Sequence, residues 1–137
     1  QMKALNTVKI TFPSRSVNEG FARSALSAFA AQADPTLDEL ADVKTAVSEA
    51  VTNCIVHAYA NTIGPITLTA ALYEDGTDKG CGIPDVSKAM EPLFTTGGAE
   101  RAGLGFAVME SFMDSVKVRS APGKGTRVTL SKRLGTR

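Results

Sequence analysis

At 137 residues, 43% of them hydrophobic and 21% charged, the chain has the length and make-up of one globular domain over 1–137 with a real core. A formal net charge of +1 gives no electrostatic reason to expect a direct nucleic-acid or membrane-surface partner, and no apolar run approaches the roughly 20 residues that span a bilayer. Cys54 and Cys81 stand in unrelated segments without metal-ligand spacing. Two such thiols and no recognisable secretory leader point to a reducing, cytoplasmic setting; Gln1 ahead of Met2 is set aside.

In chain order, Val8-Lys-Ile-Thr-Phe12 alternates apolar and polar residues and predicts a half-buried strand that stops at Pro13. Ser16 offers an N-cap for a helix from Val17 to Gln32 carrying Phe21, Ala25, Leu26 and Phe29. Thr36 and Glu39 have capping-box spacing ahead of a second helix from Leu37 to about Tyr59. On that helix Val43, Val47, Ala50, Cys54 and Ala58 recur at three and four and define its core face. Ile66 to Tyr73 reads as a strand, and Glu74-Asp-Gly76 as a hairpin turn. The chain then runs into Asp78-Lys-Gly-Cys-Gly82 with no returning strand, and Ile83 to Gly103 reads as irregular. A helix from Gly105 to Phe112 and two strands, Val116–Ser120 and Thr126–Leu130, around Pro122-Gly-Lys-Gly125 complete the order. These elements predict an α+β sandwich, a mostly antiparallel sheet with helices on one face.

Three short constellations could carry chemistry. Glu49 and Asn53, four residues apart on the second helix, project within about 40° of each other. Both border an apolar stripe, where a carboxylate and an amide are costly unless paired. A hydrated Mg²⁺ with a phosphate chain is one such partner, since Mg²⁺ takes few protein oxygens; plain solvent is the other. In Asp78-x-Gly80-x-Gly82 the glycines let a flat ring approach the backbone, and the carboxylate could accept a hydrogen bond from an exocyclic amine. The same pattern is also a common turn. Gly103-Leu104-Gly105 at a helix entry is a general anion site, and Arg101 adds a fork suited to a terminal phosphate; a simple hinge would look alike. It is not a Walker A loop, which needs Lys and Ser/Thr after the second glycine. Thr95-Thr96-Gly-Gly98 fits a lid or any surface loop. His57, Thr126 and Arg23 read most simply as structural, as a turn end and as a solvated side chain.

The order of these segments is more specific than any one of them. Ser48-Glu-Ala-Val-Thr-Asn53, Asp78-x-Gly-x-Gly82 and Gly103-x-Gly105 resemble the N, G1 and G2 boxes of the GHKL ATPase/kinase superfamily. Pro35-Thr-Leu-Asp-Glu-Leu40, Pro92-Leu-Phe-Thr-Thr96 and Met109-Glu-Ser-Phe-Met-Asp114 narrow the resemblance to its sporulation anti-sigma serine kinases. It covers nearly the whole chain, from Met2 to about Arg133. It implies a Bergerat-type fold binding ATP or ADP with Mg²⁺ and acting as a homodimer. In this family a sigma factor is held and an anti-anti-sigma protein is phosphorylated on serine. Position by position, it implies Glu49 as general base and Asn53 as Mg²⁺ ligand. Asp78, Gly80, Gly82 and Thr126 would hold adenine, and Gly103, Leu104 and Gly105 the phosphates. A lid from Leu93 to Ala102 would include Thr95 and Thr96, with Arg101 near the γ-phosphate, and Arg23 would face the partner.

One departure stands out. The family carries a further strand between the hairpin turn and the G1 aspartate, where Thr77 meets Asp78 here. Its loss would leave backbone groups unpaired and open the core, so the expectation is that residues are missing at that junction, and the lid too is slightly short. A general-stress-type switch kinase shares the motifs. A histidine-kinase catalytic domain would need an upstream helical hairpin, whereas this chain begins with a strand. A non-catalytic ATP-binding interaction module would keep Asn53 and Asp78 but would have no use for Glu49.

Overall fold

The computed structural model describes residues 4–59, 62–74, 79–88, 108–121 and 125–135. Five strands form one sheet in the order β1-β2-β3-β5-β4, with every neighbouring pair antiparallel. They are β1 (Ala4–Pro13), β2 (Pro65–Glu74), β3 (Lys79–Lys88), β4 (Ser115–Ala121) and β5 (Gly125–Arg133). Helices α1 (Asn18–Ala30) and α2 (Leu37–Asn53) pack on each other and on the sheet, α1 against β1 and β2, α2 against β3 and β5. Residues 108–112 are helical and are labelled α3. This is the two-layer α+β arrangement expected from the pattern.

Strand periodicity explains which face is covered. Along β2, Ile66, Leu68, Ala70 and Leu72 are buried while Thr67, Thr69, Ala71 and Tyr73 stay partly exposed; Val128 and Leu130 do the same in β5. The buried row meets Ala22, Leu26 and Phe29 of α1 and Val43, Ala46, Val47, Ala50 and Val51 of α2. Phe21, read as part of the helix's apolar set, instead lies 55% exposed at the margin, its ring edge-on to Phe12. Ser16 does not cap α1: the N-cap position is Val17, which has no side-chain cap bond, and Asn18 Nδ2 reaches back to Pro13 O at 2.9 Å.

The capping box of α2 forms as its spacing predicts. Glu39 N donates to Thr36 Oγ1 at 3.1 Å, and Thr36 N donates to Glu39 Oε1 at 2.8 Å. The same Oε1 accepts from Gly135 N at 3.0 Å, which ties the end of the described chain to the α1–α2 turn. Gly135 has φ +73°, and a Cβ there would press on Ala33 O, so the position needs glycine. Replacing Glu39 by Ala removes the one acceptor of both bonds at once. We expect a loss of about 2 kcal/mol in urea-unfolding free energy, the sum of a lost cap and a lost charge-assisted bond; a change below about 0.5 kcal/mol would show that the carboxylate is not holding these elements together.

The largest difference from the sequence pattern is β3. The sequence after the hairpin has the pattern of a turn followed by irregular chain; instead Lys79–Lys88 returns along β2, pairing Glu74 with Lys79 and Ile66 with Lys88, and offers its other edge to β5. The physical reason is the cost anticipated above. β2 and β5 each bury an apolar row, and without a strand between them their facing N–H and C=O groups would be orphaned at the centre of the sheet. The segment that follows the hairpin therefore takes the vacant place. The hairpin turn itself, Glu74-Asp-Gly76, falls largely at 75–78, outside the described residues.

Candidate functional site

Glu49 and Asn53 lie on the last turns of α2 as their spacing requires. The helix buries Val43, Ala46, Val47, Ala50 and Val51, and the two polar residues border that stripe: Glu49 is half-buried and Asn53 is 8% exposed. Asn53 Nδ2 is shut off from solvent and makes no hydrogen bond among the described residues. A buried amide group without a partner costs about 1–3 kcal/mol, so this atom marks a place where a ligand would be welcome. Glu49 likewise has no hydrogen bond or ion pair among the described residues.

Immediately after Asn53 the helix widens into a π-helical turn, Cys54–Ala58, where an uninterrupted α-helix was expected to about Tyr59. Such turns concentrate at functional positions. Because the widening begins after Asn53, the i,i+4 relation of Glu49 and Asn53 is preserved, and Cys54 still joins the core with Val43, Val47 and Ala50. The chain then closes through Tyr59, whose ring is buried and whose Oη donates to Pro65 O at 2.9 Å. Gly64 fits only because it lacks a Cβ, which would overlap that ring.

Both α2 and the π-helical turn pack against β3, the strand that carries Gly80 and Gly82. The structure thus brings the helix end bearing Glu49 and Asn53 to the strand bearing the two glycines. Gly80 stands in register with Tyr73 of β2 and Arg133 of β5, and Gly82 with Ala71 and Ser131. Thr126 is the second residue of β5, in register with Ser120. Asp78, Thr95, Thr96, Arg101, Gly103, Leu104 and Gly105 lie outside the described residues.

Arg23 sits apart on α1, exposed and paired with Glu19 at 3.4 Å. It lines a groove between α1 and α2 together with Ser24, Ser27, Leu40 and Lys44. Lys44 was not singled out by the sequence; the only available signal was a lysine on the polar face of α2, one of 15 basic residues in the chain. Among the described residues no group of three or more His, Cys, Asp or Glu could hold a metal ion, so a divalent cation at Asn53 would draw most of its ligands from phosphate and water, as Mg²⁺ commonly does. No described helix is long and apolar enough to cross a membrane.

Comparison with known proteins sets the class first. Residues 12–132 match the histidine kinase-like ATPase domain family, a nucleotide-binding class. The anti-sigma F factor of Caldanaerobacter subterraneus subsp. tengcongensis is 55% identical over 140 residues, covering 98% of this chain and 98% of that protein. That of Clostridium acetobutylicum is 48% identical over 135 residues, covering 94% of each. The crystal structure of the RsbU and RsbW domains of a Mycobacterium tuberculosis protein superposes with a TM-score of 0.72 at 25% identity; the match takes in 94% of this chain and 32% of that one. The chain belongs to the anti-sigma F factor family.

Proposed function

We propose that this protein is an ATP-dependent protein serine kinase that holds a sigma factor and phosphorylates an anti-anti-sigma protein on serine. The observation that carries the kinase half is the half-buried Glu49 one helical turn before Asn53, whose buried Nδ2 lacks a partner among the described residues. A binding module needs the amide but gains nothing from the carboxylate. The anti-sigma half is supported by relatives of about half identity over nearly the whole chain that carry that name.

When bound, ATP would supply the phosphoryl group to be transferred and Mg²⁺ would neutralise phosphate charge. Asn53 would hold the cation through Oδ1, and its unpartnered Nδ2 would donate to a phosphate oxygen. Glu49 orients the incoming hydroxyl and accepts its proton. Phosphoryl transfer demands little more than such positioning and charge neutralisation. Asp78, Gly80, Gly82 and Thr126 take the adenine; Gly103, Leu104 and Gly105 the phosphates; Thr95 and Thr96 cover them, with Arg101 at the γ-phosphate. These assignments rest on the motif order in the sequence. Arg23, with Lys44 beside it in the α1–α2 groove, faces the protein partner, and the active form is a homodimer.

The test is direct. The protein is incubated with γ-labelled ATP, Mg²⁺ and the anti-anti-sigma protein of its own genome, and the product is mapped by mass spectrometry. One phosphoserine on that protein is expected. Release of inorganic phosphate with no label on any protein would make the chain an ATPase, and nucleotide binding without either product would make it an ATP-gated binding module.

A further inference from the structure

Every second residue of β5 faces the helical layer, and two of them, Val128 and Leu130, are buried in the core. Lys132 is next in that alternation, so the strand aims a lysine where its two predecessors place apolar side chains. Its side chain is only 13% exposed. An ammonium group in such a place is costly unless its donors are met, and two groups meet them. Nζ donates to Phe112 O at 2.8 Å and lies 3.4 Å from Asp42 Oδ2.

The two partners belong to different helices. Phe112 closes α3, and its carbonyl is one of those that a helix end leaves without an internal partner. The neighbouring bonds join this junction to β5: Asp114 N donates to Ser131 O at 2.9 Å, and Arg133 N to Asp114 Oδ2 at 2.7 Å. Lys132 carries the tie on to α2. There Asp42 stands seven residues before Glu49 and eleven before Asn53. At 3.6 residues per turn, each of those two projects within about 20° of Asp42. The grip therefore falls on the row of α2 that carries the candidate base and the candidate Mg²⁺ ligand. A turn of α2 about its axis that swung Glu49 and Asn53 aside would also pull Asp42 from Lys132.

We propose that Lys132 is a positioning residue for phosphoryl transfer: by holding Asp42 and Phe112 O together, it sets the rotation of α2, and with it Glu49 and Asn53, against α3. The inference rests on the kinase reading of Glu49 and Asn53, and on the reading of Gly103 and Gly105, a few residues ahead of α3, as holding the phosphates. Misplacement of reacting groups by about 1 Å can cost on the order of 100-fold in rate. Asp42 lies roughly 10 Å from Glu49 along the helix, yet the contact it makes can govern the transfer step while nucleotide binding stays largely intact.

Two variants test this. Lys132→Met keeps the length of the stem and removes the charge and the donors; Asp42→Asn leaves the bond to Phe112 O in place. Single-turnover transfer from γ-labelled ATP with Mg²⁺ to the anti-anti-sigma protein of the same genome is followed across ATP concentrations, with urea unfolding measured alongside. Lys132→Met is expected to lower the maximal transfer rate by about tenfold or more, with the half-saturating ATP concentration within about threefold of that of the unmodified chain. Asp42→Asn is expected to show the same split at smaller size. A merely structural lysine would lower the unfolding midpoint and leave the maximal rate per folded molecule unchanged. That result in Lys132→Met, or a loss confined to ATP affinity, would overturn the inference and leave the kinase reading standing. If that variant does not fold, a wild-type maximal rate in Asp42→Asn overturns it equally. Absence of transfer by the unmodified chain would overturn the kinase reading, and the inference with it.

Discussion

Glu49→Gln should abolish phosphoryl transfer to the anti-anti-sigma protein while leaving Mg²⁺–ATP binding almost unchanged. The substitution keeps the shape of a half-buried side chain on α2 and removes only its ability to take a proton. A positioned general base contributes about 10²–10⁴ in rate, so initial velocities from single-turnover experiments should fall by at least about 100-fold. Because Glu49 has no ion pair or hydrogen bond among the described residues, no polar contact with them is lost, and the unfolding midpoint should hold. If the Gln variant transfers phosphate at the wild-type rate, another group takes the proton and Glu49 has no part in the chemistry.

Asn53→Ala should separate binding from stability in the opposite sense. Loss of a metal-phosphate ligand is expected to weaken Mg²⁺–ATP binding by at least about tenfold, with about 100-fold within reach. Truncating a buried polar residue usually destabilises, but here the amide hydrogen-bond donor is already unpartnered among the described residues. Removing it relieves a desolvation cost and adds helix propensity, which offset the small void left behind. Unfolding free energy without nucleotide should therefore stay within about 1 kcal/mol of wild type. A drop of about 3 kcal/mol would mean that Asn53 is a structural amide.

Much of the fold could be read in the chain because local chemistry and burial agree. The alternation in Ile66 to Tyr73, the Thr36–Glu39 box and the three-and-four stripe of α2 each specify an element by themselves. The Glu49–Asn53 pair was legible for the same reason, as polar residues flanking an apolar stripe. What could not be read was β3. Gly80, Gly82 and Pro84 argue locally for a turn, and they form a strand only because β2 and β5 leave a gap that must be filled. Tertiary demand overrode propensity there. The exposed setting of Phe21 and the missing cap at Ser16 are smaller cases: helical phase fixes a face only to within a residue's width, and a serine before a helix caps it only if the chain enters at the right angle. The π-helical turn after Asn53 leaves no mark in a three-and-four pattern at all.

The bond from Gly135 to Glu39 closes a loop of 96 residues in sequence separation. Contacts so distant along the chain form late, after their loop entropy has been offset by shorter-range structure. This clasp links the first turn of α2 to the chain just past β5 by a route that bypasses β3. The helical layer and the far end of the sheet are thus held together as one cooperative body.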